Sequence, residues 1–242
     1  MKQLLIEALD VRHGLLQAVK DVSFTVGQGE TVALVGANGA GKTTLLRAIA
    51  GAHLPAGGRI VVDATDVTAM PAHKRVGFGI ALVPEGRRLF AGMTVEENLL
   101  LARSARRPGA WTVDVVMETF PQLKRRRNAK AGTLSGGEQQ ATAIGRALMT
   151  NPEILLLDEI SLGLSPIAVE QVYASLTSLM KSGTTCIIVE QDLNRAIAVA
   201  DRAICMLEGR IVLEGRSTQL SREQITQAYF GLSETSAKDL TS

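Results

Sequence analysis

The sequence predicts an α/β fold in which a largely parallel sheet alternates with helices and is interrupted by a helical insertion. Three observations predict it. Short apolar runs with β-branched members, Thr31–Val35, Ile80–Val83, Ile154–Leu157, Cys186–Val189 and Ala203–Leu207, read as buried strands. Helical segments, Ile167–Lys181 and Leu193–Ala200, fall between the later runs. From about Pro84 to Thr150 strand signals vanish and helix signals replace them.

Residues 1–35 alternate apolar and polar, as in Val22-Ser23-Phe24-Thr25-Val26, which predicts an antiparallel sheet ahead of the strand Thr31–Val35. That strand runs into a glycine-rich loop and then a helix over Thr43–Ala50, and Arg59–Val62 and Ile80–Val83 follow as strands. In the insertion, Thr94-x-x-Glu97 is a capping box preceding a helix over Asn98–Arg103. Ser104–Ala110, with Pro108-Gly109, reads as a loop, and Val113–Phe120 and Gln122–Asn128 as short helices. Leu134-Ser135-Gly136-Gly137-Glu138-Gln139-Gln140 turns into a helix over Glu138–Met149. After Asn151-Pro152 strand and helix alternate again, closing on an antiparallel edge at Ile211–Leu213. The expected organisation is one domain over 1–235, with a core at about 1–84 and 151–215 and the insertion at about 85–150, then a polar tail, 236–242. The tail from Ser233 is expected to fray.

The first loop carries readable chemistry. Gly36-Ala37-Asn38-Gly39-Ala40-Gly41-Lys42-Thr43-Thr44 has the spacing G-x-x-x-x-G-K-T between a strand and a helix. Its glycines let the chain turn sharply and bring backbone N–H groups against phosphate oxygens. The helix dipole also favours the anion. Lys42 is placed to reach the β- and γ-phosphates, and the Thr43 hydroxyl to coordinate Mg²⁺. The plainer reading, a glycine-rich turn that binds nothing, does not account for the full spacing in this context.

Further on, Ile154–Leu157 ends in Asp158-Glu159. An Asp at such a strand end helps hold Mg²⁺ in phosphate-loop enzymes, and a second carboxylate beside it can orient an attacking water. Two solvated acids at a strand end would be unremarkable alone; with Lys42 and Thr43 upstream they are candidate catalytic groups. The turn at Ser135-Gly136-Gly137 is a second anion-binding element, offering backbone N–H groups, a hydroxyl and a helix dipole. By itself it is equally an ordinary Ser-capped helix.

Gly36–Thr44, Leu134–Gln140 and Ile154–Glu159 together resemble the nucleotide-binding subunit of ATP-binding cassette (ABC) transporters, over about Leu4 to Gly215. Five further segments are similar to the LivF-type ATPases of branched-chain (hydrophobic) amino acid importers: Val83-Pro84-Glu85-Gly86-Arg87-Arg88-Leu89-Phe90, Met93-Thr94-Val95-Glu96-Glu97-Asn98-Leu99, Leu134 through Met149, Ser161-Leu162-Gly163-Leu164 and Val189-Glu190-Gln191. The resemblance implies a P-loop NTPase core with an antiparallel β subdomain and an inserted helical signature subdomain. It implies ATP and Mg²⁺ as ligands, Glu159 as catalytic, and Thr43 and Asp158 as metal-holding. It also implies that Ser135, Gly136 and Gly137 contact the γ-phosphate held by an opposite subunit.

Several positions depart from the general ABC pattern. Glu85 stands where most of the superfamily has Gln, with an implied metal and catalytic role, and Gln191, with an implied catalytic role at the γ-phosphate, stands where most have a switch His; both are shared with the LivF-type ATPases. Ser165 replaces the usual Asp after the Asp158-Glu159 strand, Ile160 the usual Pro, and His13 the aromatic residue that stacks on adenine. The implied partners are a second ABC ATPase (a LivG-like companion or a second copy), two integral-membrane permease subunits and, indirectly, a periplasmic or extracellular solute-binding protein. The implied place is the cytoplasmic face of the cell membrane, held peripherally. The cargo would be branched-chain amino acids, with urea, short amides or other small organic solutes open within similar systems.

Composition bounds the alternatives. The 242 residues suffice for a substantial core, and 46% apolar content with a mean hydropathy of +0.16 suits a soluble α/β chain. No apolar run approaches the ~18–20 residues that span a bilayer, and an acid at Glu7 falls too early for a secretory signal. Net charge is +2, and the basic run Lys124–Arg127, with Arg103, Arg106 and Arg107, is interleaved with acids and has no aromatic platform. It reads as a solvated face, and no nucleic-acid partner is expected. Cys186 and Cys205 read as buried free thiols in a reducing compartment. His53 and His73 stand in polar loops with no assigned role, and Trp111 is a local packing anchor. A soluble ABC ATPase of translation or DNA repair would resemble a tandem cassette or carry a long coiled-coil insertion, and a small GTPase would carry Asn-Lys-x-Asp; none of these occurs.

Overall fold

The structure, a computed structural model, describes residues 2–105, 107–181 and 183–231. Among them the strands are, in chain order, β1 Leu4–His13, β2 Leu16–Val26, β3 Thr31–Val35, β4 Gly57–Val62, β5 Thr65–Asp66, β6 Ile80–Val83, β7 Ile154–Asp158, β8 Thr185–Val189, β9 Arg202–Leu207 and β10 Arg210–Arg216. The α-helices are α1 Lys42–Ile49, α2 Ala72–Phe78, α3 Val95–Leu100, α4 Val113–Thr119, α5 Gly136–Leu148, α6 Pro166–Lys181, α7 Leu193–Val199 and α8 Arg222–Phe230.

Two sheets result. The alternating N-terminal segment forms the antiparallel sheet β2-β1-β4-β5. The apolar runs form a six-stranded sheet in the order β10-β9-β3-β8-β7-β6, parallel except for β10 at its edge. Parallel strands bury both faces, and the period of two sorts them. Ile154 and Leu156 of β7 join β1, β2 and α1 in the core between the sheets. Leu155 and Leu157 face the other way, into the core built with α3, α4, α5 and α6. Because β3, β6, β7 and β8 run in one direction, the loops that follow them gather at one sheet edge, where open α/β sheets bind ligands.

α2 and α8 were not read from the sequence. α2 is seven residues long, contains Gly77 and has no side-chain cap, so it leaves a weak pattern, and His73 lies on this helix rather than in a loop. α8 does carry a legible signal, a capping box between Ser221 and Gln224. In the insertion the helices start earlier than expected, because the capping residue sits immediately before the first turn: Thr94 caps α3 at Val95, and Ser135 caps α5 at Gly136. Leu101–Ala105 is a 3₁₀ turn where the sequence predicts the end of a helix and the start of a loop, and Pro121–Arg126 is a 3₁₀ turn where it predicts a short helix over Gln122–Asn128.

Arg75 of α2 is fully buried and donates to the carbonyls of Met70, Thr68, Ala48 and Ile49 at 2.7–2.8 Å. Burial lowers its pKa to about 10. Within the basic run, Arg127 bonds Glu96 and Asp114 and Arg126 bonds Glu138 at the surface, as a solvated face would; Arg107 instead is mostly buried, donating to Glu153 and to the carbonyls of Asn151 and Gly77. Trp111 packs against the α5–α6 core. Cys186 and Cys205 are buried free thiols, pushed up by burial to about 12 and about 11. Arg106 and the tail from 232 lie outside the described residues.

Candidate nucleotide site

β3 delivers the chain to the glycine-rich loop, and two of its glycines are required by what lies behind them. Gly36 (φ 150°) and Gly41 (φ 101°) have backbone conformations that side chains rarely adopt, and a Cβ there would run into the carbonyls of Met206 and Ala18. The loop is thus pressed between β9 and β2. A Cβ at Gly39, by contrast, would meet nothing within 4 Å among the described residues. α1 begins at Lys42 behind Gly41, with no side chain capping its first amides.

Lys42 is 4% exposed and its ammonium donates to Gly36 O (2.7 Å) and Ala37 O (3.0 Å). Burial lowers its pKa, opposed by the charges of Glu159 and Asp158. A cavity of about 220 Å³ opens over the loop, lined by Asn38, Gly39, Gly41, Lys42, Thr43 and Thr44, with His13, Leu16, Ala18 and Glu159 around it. A larger cavity, about 370 Å³ and lined partly by Arg88, Phe90 and Arg146, lies away from these groups. Chemistry, not volume, marks the first as the candidate site.

Thr43 Oγ1 donates to Asp158 Oδ1 at 2.9 Å. Asp158 is 1% exposed, and its Oδ2 is buried with no hydrogen-bond partner among the described residues. Burial raises its pKa; the Thr43 bond works against this, and the charges of Glu159 and Glu85 add to it. An orphaned carboxylate oxygen beside a hydroxyl is a fitting donor pair for a hard cation that takes few protein ligands, as Mg²⁺ does. Glu85 is exposed on the loop after β6.

Glu159 follows β7 with φ 47°, a conformation uncommon outside glycine. Its N–H donates to Val189 O at 3.0 Å, and its Oε2 accepts from Gln191 Nε2 at 2.8 Å. The loops after β7 and β8 therefore bring together two residues 32 positions apart. Ile160 is buried in the core, and the Ser165 hydroxyl accepts from Ala168 N at 3.4 Å in the first turn of α6.

His13 Nε2 lies 3.2 Å from Thr44 Oγ1. His53 does not stand alone: its ring centroid is 4.5 Å from that of His13, and its Nε2 is 2.8 Å from Arg12 O. His13 lines the cavity beside the loop, and His53 packs against His13.

The turn before α5 is anchored by buried Leu134. Ser135 Oγ accepts from Glu138 N (3.3 Å) while Glu138 Oε2 accepts from Ser135 N (2.8 Å). Gly137 has a packing role the sequence did not disclose: a Cβ there would come within 2.8 Å of Ala168 Cβ, so the glycine sets how closely α5 approaches α6. Residues 134–140 contribute nothing to the lining of the cavity over the loop. Arg87, also unflagged in the sequence, donates to Gln139 Oε1 at 3.0 Å and ties the loop after β6 to this turn. No spacing rule marks it.

A family profile described as "ABC transporter" matches residues 19–161. The chain is 45% identical over 222 residues to the high-affinity branched-chain amino acid transport ATP-binding protein BraG of Pseudomonas aeruginosa, covering 90% of this chain and 95% of that protein. It is 34% identical to a probable branched-chain amino acid transport ATP-binding protein, LivF, of Archaeoglobus fulgidus, covering 88% and 91%. Its fold superposes with a TM-score of 0.79, at 26% identity and 88% and 98% coverage, on a dimeric ATP-binding cassette in a post-hydrolysis state bound to ADP and Pi. With its phosphate loop, its Asp158-Glu159 pair and its capped glycine turn, this chain belongs to the ABC transporter family as an ATP-hydrolysing subunit.

Proposed function

We propose that this subunit energises an importer of branched-chain amino acids through separate membrane permeases, with the residues around the loop in the following roles. The observation that carries the chemistry is the 2.8 Å bond from Gln191 to Glu159 at the edge of the cavity over the loop. The substrate class is taken from the name of the Pseudomonas aeruginosa relative.

Backbone N–H groups of Ala37, Asn38, Gly39, Ala40 and Gly41, with Thr44 and the Lys42 ammonium, hold the phosphates. Thr43, Asp158 and Glu85 would hold Mg²⁺, which would supply positive charge against the phosphates. Glu159 takes the proton of the attacking water. Gln191, an amide that both donates and accepts, keeps the Glu159 carboxylate aimed and can bond a phosphate oxygen. His13 lies against the adenine ring. Ser135, Gly136 and Gly137 of one subunit complete the site of the other, at the γ-phosphate, as the capped turn leaves the first amides of α5 free.

Among the described residues no helix is long and apolar enough to cross a membrane. The chain works peripherally on the cytoplasmic face, paired with a LivG-like ATPase or a second copy and docked on two permease subunits fed by a solute-binding protein. Deleting the gene should abolish uptake of labelled leucine, isoleucine and valine; the wild-type gene should restore it and a Lys42→Ala copy should not. Intact leucine uptake with loss of urea or amide uptake would reassign the cargo.

A further inference from the structure

Glu190 is a carboxylate that the chemistry above does not use, yet it is 1% exposed. Its Oε1 accepts from Tyr173 OH of α6 at 2.6 Å and from Ser161 N at 3.3 Å, and its Oε2 accepts from Ser161 Oγ at 2.7 Å. Ser161 stands two residues after Glu159, and Glu190 one residue before Gln191. The same two loops are joined again where Glu159 N donates to Val189 O, and a third time where Gln191 donates to Glu159.

We propose that Glu190 is a positioning residue for hydrolysis: it clamps the loop after β7 to the loop after β8 and so holds Glu159 and Gln191 in register.

The backbone supplies the reason such a clamp is needed. Glu159 has φ 47°, a sparsely populated conformation that persists only where its surroundings over-determine it. Its amide is fixed on one side by Val189, and on the other side Ser161 is held by two hydrogen bonds, from its N–H and its hydroxyl, to one buried carboxylate. Burial pushes the Glu190 carboxyl up, against the hydrogen bonds from Tyr173 and Ser161 that favour its charged form. A buried acid held by three donors is costly to keep unless all of them stay in place. Ser161 also begins the exposed stretch Leu162–Gly163, so the clamp joins the reacting pair to a surface segment.

This inference rests on Glu159 and Gln191 being the hydrolytic pair, and the test separates the two. ATP turnover and nucleotide affinity are measured on the full-length chain with Mg²⁺, for Glu190→Ala, Glu190→Gln, Ser161→Ala, Gln191→Ala, Glu159→Gln and the Glu190→Ala/Gln191→Ala double variant. Glu190→Ala should lower kcat about 10²-fold, the scale of a misplaced reacting group, with ATP affinity within about 2-fold. Ser161→Ala, which removes one hydroxyl and leaves the fold intact, should lower kcat by about 10-fold with the same unchanged affinity. Glu190→Gln should recover turnover, since an amide oxygen can accept from Tyr173 and Ser161 N while its NH₂ donates to Ser161 Oγ. In the Gln191→Ala background, Glu190→Ala should cost little more. Full turnover in Ser161→Ala and Glu190→Ala, additive losses in the double variant, or a Gln variant as impaired as Ala would overturn the clamp alone. Full turnover in both Gln191→Ala and Glu159→Gln would overturn the pair and the clamp with it.

Discussion

α1 and α5 both begin on glycine-bearing turns, but their first turns are finished differently. α1 starts behind a left-handed Gly41 with no side-chain cap, and the loop before it is braced from behind by Ala18 and Met206. α5 starts behind Ser135 in a reciprocal box with Glu138, and Gly137 is packed on Ala168. Uncapped amides backed by rigid carbonyls are suited to an anion. A capped turn is already satisfied by its own chain and keeps only its outermost amides for a partner's ligand. In the function proposed above, one turn is a site within a subunit and the other a surface that becomes part of a site on assembly.

The largest test of this contrast removes chemistry while leaving both turns intact. Glu159→Gln should lower turnover by ~10²–10⁴-fold with ATP binding retained, and size-exclusion chromatography with ATP and Mg²⁺ should give a dimer, joining the two turns across one nucleotide. A variant that hydrolyses normally would place the base elsewhere. Lys42→Ala attacks the first turn alone: loss of a phosphate-facing cation should lower turnover by ~10²–10³-fold, on the scale of losing one oxyanion donor. Equilibrium titration should register it as weakened nucleotide binding in the monomer, and unchanged affinity would mean that the backbone amides suffice.

Smaller effects separate capping from packing in the second turn. Gly137→Ala should destabilise by about 1–3 kcal/mol, the range for overpacking, because its Cβ would meet Ala168. Ser135→Ala should lose about 1 kcal/mol of capping, and both are read by chemical denaturation. Monomer ATP affinity should not change in either, and a drop would bring the turn into its own subunit's site. The smallest expected effect is at His13: His13→Tyr should tighten ATP binding, and His13→Ala weaken it, within the ~1–3 kcal/mol of base stacking on an aromatic ring. Equal affinity in both would make His13 a surface residue hydrogen-bonded to Thr44.

The first turn was legible because its spacing, its strand and its helix are contiguous in sequence. So were the apolar strands of the larger sheet, which need no knowledge of their neighbours, and the antiparallel sheet ahead of Thr31–Val35, signalled by alternating residues such as Val22–Val26. What sequence could not supply was anything made by two distant segments. The bond between Gln191 and Glu159 exists because β7 and β8 are neighbours, and the contact of His53 with His13 exists because the loop after α1 folds back on β1. The packing duty of Gly137 likewise depends on where Ala168 falls. The short α2 was missed for a local reason, since seven residues with a glycine give little periodicity to read.

Arg75 caps the far end of α1, donating to Ala48 and Ile49 in its last turn. The eight residues of this helix span about 12 Å at the usual rise, with a buried guanidinium at one end and the candidate phosphate site at the other. Opposite unit charges that far apart attract by roughly 1 kcal/mol at an effective dielectric near ~20. A cation at the other end of α1, away from the candidate phosphate site, thus acts as a fixed counter-charge to a bound phosphate. Because Arg75 is shielded from solvent, this pull is one that added salt screens little.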